Sequence, residues 1–105
     1  MTDLTNNPEP ALGEAPHITP DAPGSRAYFR ALCAGRHPSI QHLVRQFAWA
    51  HLPPALASVS AQYGTLVEEL LSRITDDGPE LSAALRKLRE SKDCAVLAMV
   101  DQLGA

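Results

Sequence analysis

Proline placement constrains this chain more than any other feature. Of nine prolines in 105 residues, five fall before Ser25, at positions 8, 10, 16, 20 and 23; Pro38, the pair Pro53-Pro54 and Pro79 complete the set. A proline cannot sit inside a helix, because it lacks the N–H and its ring meets the preceding turn, yet it suits the first turn. Pro53-Pro54 and Pro79 therefore read as two helix starts, with no proline between Pro54 and Pro79 and none after Pro79.

The apolar pattern agrees. Leu56, Val59, Tyr63, Leu66, Val67, Leu70, Leu71 and Ile74 make a stripe at helical spacing, and Leu81, Leu85, Leu88, Ala95, Val96, Met99 and Leu103 make a second. Between them TDDGPEL supplies a stop and a start: Gly78 permits the turn, Asp77 can cap, and Glu80 suits the positive end of the next helix dipole. So short a connection predicts an antiparallel two-helix hairpin over residues 47–105. Before it, Ser25 can cap a short helix through Leu32, and Ile40, Leu43, Val44 and Phe47 repeat at i, i+3, i+4, i+7, so residues 25–46 are expected to hold short helical segments. Residues 1–24, polar and proline-rich, have too little apolar surface to offset chain entropy and are expected to form a disordered tail.

The fold class is thus all-α. A core drawn mainly from the second half would come from roughly 50–60 residues, near the size at which a chain needs a partner. Two stripes on one hairpin also leave an apolar face over, so a homo-oligomer is expected. The formal charge of −3 argues against a nucleic-acid coat or an anionic-membrane binder, which need broad positive fields, but leaves room for a small anion held by a few cations. Cys33 and Cys94 form no CxxC, and two distant thiols read as reduced cytoplasmic cysteines. No apolar run approaches membrane-spanning length.

FAWAHLPPAL, residues 47–56, gathers the single Trp, a His and a Pro-Pro pair at a helix start. The rings of Phe47, Trp49 and His51 could stack on a nucleobase while backbone N–H groups near Pro53 receive an anion; a hydrophobic staple or protomer packing is the competing role. Lys92 falls at helical spacing with Leu85, Leu88, Val96 and Met99, which places an ammonium within an apolar stripe. It either meets an anionic ligand or lays its stem on the stripe and reaches water or Asp93. Arg86, Lys87 and Arg89 could join it around phosphates, although Arg86 with Glu90 and Arg89 with Asp93 also suit i, i+4 pairs on a solvated face. Tyr63 reads as core. Cys33, His37, His42 and His51 match no zinc spacing, and no nucleophile elbow, Cys-His pair or Gly-rich phosphate loop occurs, so no metal, cofactor or catalytic residue is assigned.

HLPPAL (51–56) and ELSAALRKLRESKDCAV (80–96) resemble the small helical-hairpin sponge proteins of phages, the anti-CBASS and anti-Thoeris family. The resemblance spans roughly residues 47–98 and centres on Leu85, Lys87, Leu88 and Glu90. It implies a non-enzymatic homo-oligomer, often a hexamer, that sequesters cyclic dinucleotides or related cyclic oligonucleotides in pockets between protomers of a bacterial or phage-infected cytoplasm, counteracting anti-phage signalling. It also implies base stacking on Phe47, Trp49 or His51 and phosphate contacts from Lys87 or Lys92, with Pro53 beside the ligand. Relatives often carry Arg late in the second helix, where this chain has AVLAM (95–99), so one ligand class is expected to be missing. The alternative of a different class is a helical oligomerisation or protein-interaction module of prophage origin without a nucleotide ligand.

Overall fold

The computed structural model describes residues 22–104, and every regular element among them is helical. Helix α1 spans Arg26–Leu32 and α2 spans Pro38–Val44; a 3-10 turn, Arg45–Phe47, continues α2. Helix α3 spans Pro54–Arg73 and α4 spans Pro79–Gly104. The starts derive from the residues that occupy them. Ser25 Oγ accepts from Tyr28 N, His37 Nδ1 accepts from Ser39 N ahead of Pro38, and Pro54 takes the first helical position of α3, where its missing N–H costs nothing.

The core is one cluster, and it is not where the apolar stripes alone put it. Of its eleven buried apolar residues, seven come from before the hairpin's helices: Phe29, Cys33, Ile40, Leu43, Val44, Phe47 and Ala48. Only Val67, Leu71, Leu81 and Leu85 come from α3 and α4. The boundary expected at residues 46 and 47 therefore does not divide the folded part, since α2 lies against α4 much as α3 does. Helix α3 turns small residues inward: Ser60 and Gly64 are buried with Val67 and Leu71, while Leu66, expected in the stripe, is exposed. The reason is volume. Gly64 faces the Phe29 ring and the Trp49 indole, and a side chain there would occupy their space.

The expected tail boundary also moves. Residues 1–21 lie outside the described residues, but Ala22–Gly24, assigned to the tail from sequence, form a turn that docks on the fold. Ser25 N donates to Ala22 O at 3.0 Å, and Gly24 O accepts from Trp49 N at 2.9 Å and Ala50 N at 3.0 Å.

The α3–α4 connection is held by a residue far from it in sequence. Arg36 donates through Nη2 to Leu71 O (2.6 Å) and Ile74 O (2.9 Å), two of the carbonyls left over at the end of α3, and through Nη1 to Asp77 Oδ1 (2.7 Å). His37 N donates to Asp77 Oδ2 at 2.7 Å. Asp77, expected to cap α4, instead ties the turn to the α1–α2 loop. The hydrogen bond from His37 N and then the bonds and charge of Arg36 hold its carboxyl below the usual carboxylate range. A depressed acid contributes stability that is present above its unfolded pKa and is lost as pH falls through the folded one. Asp77→Asn is accordingly expected to lower the melting temperature at neutral pH and to narrow its gap to wild type below about pH 4, the unfolded carboxylate range; melting curves from pH 7 to pH 3 check this.

At the other end of α4 the apolar residues are uncovered. Leu97 is 62% exposed, Val100 44% and Leu103 60%. Leu103, expected in the buried stripe, is thus at the surface, because α3 begins only at Pro54 and α4 runs on past it.

Candidate anion-binding site

Two clefts lie side by side where α1, the 3-10 turn and α4 meet. The first, of about 550 Å³, has Ala48, Leu52, Val96 and Leu97 as apolar lining and Arg26, Arg45, His51 and Lys92 as basic lining, with Ser60 at its wall. The second, of about 560 Å³, is lined by Arg26, Arg30, His42, Arg45, Gln46 and Arg89. They share Arg26, Arg45 and Gln46. Five of the chain's nine Lys and Arg thus line the two clefts, and Asp93 is the one carboxylate among the lining residues. Concentrated positive charge in a concave surface attracts anions even though the whole chain is acidic.

Local structure places each group. Arg26 and Arg30 lie one turn apart and share a face of α1. Arg45 Nε donates to Gln41 O at 3.3 Å, and Gln46 Nε2 donates to His42 O at 3.1 Å, which leaves Gln46 Oε1 to accept from Arg89 Nη1 at 2.9 Å. Lys92 has a side chain only 14% exposed; its Nζ lies 5.7 Å from the centre of the Phe47 ring and 2.9 Å from Asp93 Oδ1. Both sequence readings of Lys92 have a structural counterpart here, since it reaches Asp93 and also lines the first cleft. Partial desolvation, and then the charges of Arg26 and Lys92, hold the His51 imidazole below its ordinary pKa.

Comparison with protein-family models, curated proteins and solved structures returns no match for this chain.

Of the six residues singled out from sequence, the fold brings His51 and Lys92 together and leaves the other four elsewhere. Phe47 is fully buried beneath Lys92 and has no face to offer a base. Trp49 is half-buried, its indole spent on covering Gly24 and Gly64. Pro53 is exposed ahead of α3, and Lys87 is exposed on α4; neither lines a cleft. The expected aromatic platform is absent from both clefts, in which the imidazoles of His51 and His42 are the only rings. Arg89, read as part of a solvated face, belongs to the second cleft.

Arg26, Arg30, Arg45 and Ser60 were not legible as site residues. A signal for the arginines existed: from Ala22 to Val67 the chain carries Arg26, Arg30, Arg36 and Arg45 and no Asp or Glu. Such a segment presents uncompensated positive charge wherever it folds. The histidines and the buried thiol do not converge. Cys33 sits in the core, where burial raises its pKa, His37 Nδ1 is engaged with Ser39, and His42 and His51 line different clefts.

Proposed function

We propose that the chain binds phosphate-bearing nucleotides without transforming them, at the clefts around Arg26, Arg45 and Lys92. The observation that carries this reading is the gathering of five cations against one carboxylate in two adjoining concave surfaces. Each cleft falls within the size range of small-molecule sites, and the first offers an apolar wall for a base or sugar beside its cations. Within this reading, the resemblance of residues 47–98 to phage sponge proteins nominates cyclic oligonucleotides, cyclic dinucleotides first among them, sequestered in the cytoplasm to counteract anti-phage signalling. The residue roles shift accordingly: His51 and Lys92 keep theirs, Arg26 and Arg45 join them, and Phe47 becomes the support under Lys92.

A second reading is favoured by Leu97, Val100 and Leu103, which leave the end of α4 apolar and uncovered. We propose that this end mediates self-association, of which a hexamer is one form; taken alone it is also the surface of a protein-interaction module that needs no nucleotide.

Thermal melts against a panel of cyclic di- and trinucleotides at low salt test the first reading. A ligand at 100 times its Kd adds about 2.7 kcal/mol to the folded state, which for a domain of this size raises Tm by roughly 10–20 °C. Light scattering on the same samples reports the oligomer. An assembled protein that no cyclic nucleotide stabilises would leave the interaction module standing and end the cyclic-nucleotide reading.

A further inference from the structure

Two buried side-chain atoms among the described residues lack a hydrogen-bond partner, Ser60 Oγ and Arg89 Nε. Ser60 is 1% exposed and lines the first cleft; Arg89 lines the second. Buried donors are almost always paired, so two unpaired ones at two adjoining cationic clefts point to groups that arrive with a ligand. The clefts are not equivalent. Lys92 in the first is already shared with Asp93, whereas the second has four guanidinium groups and no carboxylate in its lining. Arg26, Arg45 and Gln46 belong to both, so one ligand can span them without crossing an uncharged gap.

Building on the phosphate-binding reading above, we propose that a single protomer takes one ligand bearing two separated phosphate groups, one received by Ser60 Oγ and Lys92 and the other by Arg89 Nε and Arg30. The apolar strip of Leu52, Val96 and Leu97 beside the first position suits a ring between or next to the phosphates. The ligand class is therefore a nucleoside bisphosphate or a compound that holds two phosphodiesters apart, and the site is complete within one chain. Arg30 is exposed at the end of α1, so it is free to close on a phosphate and its loss leaves the core intact. Ser60 has no partner to lose in the free protein, so Ser60→Ala is not expected to lower its melting temperature.

Calorimetric titration with adenosine 3′,5′-bisphosphate, adenosine 5′-monophosphate and adenosine 3′-monophosphate tests this on the full chain, with Arg30→Ala and Ser60→Ala as variants. The bisphosphate is expected to bind at least about tenfold more tightly than either monophosphate, since a second charge-assisted phosphate contact is worth that factor or more. Arg30→Ala and Ser60→Ala are each expected to remove about tenfold from the bisphosphate affinity, and Ser60→Ala to do so with Tm unchanged or raised. Equal affinities for bisphosphate and monophosphates, or a bisphosphate affinity indifferent to both substitutions, overturns the two-phosphate site while leaving phosphate binding intact. If none of the three nucleotides nor any member of the cyclic panel binds at low salt, the phosphate-binding reading itself falls and takes this one with it.

Discussion

Phe47→Ala is expected to cost about 3–5 kcal/mol of stability, a large part of the 5–15 kcal/mol that holds a typical domain together. The ring is wholly buried, packed in the cluster that joins α2 to α3 and α4, and it underlies the ammonium of Lys92. Truncation removes its apolar area from the core, leaves a cavity that the surrounding helices fill only in part, and takes away the aromatic face on which Lys92 rests. In a domain of this size the melting temperature should fall by roughly 15–30 °C. Circular dichroism melts of wild type, Phe47→Ala and Phe47→Leu check this, with the leucine variant retaining most of the lost stability. An alanine variant that melts with wild type and loses only nucleotide affinity would instead put the ring at the ligand, as the sequence suggested.

Gly24→Ala should be nearly as damaging, for a different reason. Gly24 has φ +86°, a region that costs an L-residue about 1–2 kcal/mol, and a Cβ there would lie 2.6 Å from Cδ2 and Cζ2 of Trp49. The indole cannot simply retreat, because its Nε1 and Cδ1 lie against Gly64 and the Trp49 backbone N–H donates to Gly24 O. Forced overpacking adds about 1–3 kcal/mol, for a total of roughly 2–5 kcal/mol. Gly35 supplies the control: its φ is +84°, but no atom lies within 4 Å of the position its Cβ would take. Gly35→Ala should show the conformational cost alone. Equal destabilisation of the two variants by urea titration would mean that the packing of Trp49 on Gly24 carries no weight.

The helices were largely legible because their starts are written in local chemistry. Ser25, His37-Pro38, Pro53-Pro54 and Pro79 fix four beginnings through capping bonds and ring constraints that depend on a few neighbouring residues. The core was legible only in part. Periodicity rewards large apolar residues, and it passed over Ser60, which is buried at the wall of the first cleft, and Gly64, which faces inward because Phe29 and Trp49 need the room. The site was the least legible, since its cations come from α1, the 3-10 turn and α4, and the Gln46–Arg89 hydrogen bond that fixes part of it joins residues 43 apart. Spacing along one helix placed Arg89 with Asp93, whereas its partner is across the fold.

The contribution of α4 to the core bears on how the chain can fold as it is made. A ribosome delivers α1 and α2 first, and the apolar faces of Ile40, Val44 and Phe47 then have neither Leu81 nor Leu85 to cover them. Domains acquire their structure during synthesis only when the segments that complete the core have emerged. Here the completing segment is α4, and with it come Arg89 and Lys92. Until α4 is available, the apolar faces of the earlier helices lack their cover, and the cationic clefts are completed by the same helix that completes the core.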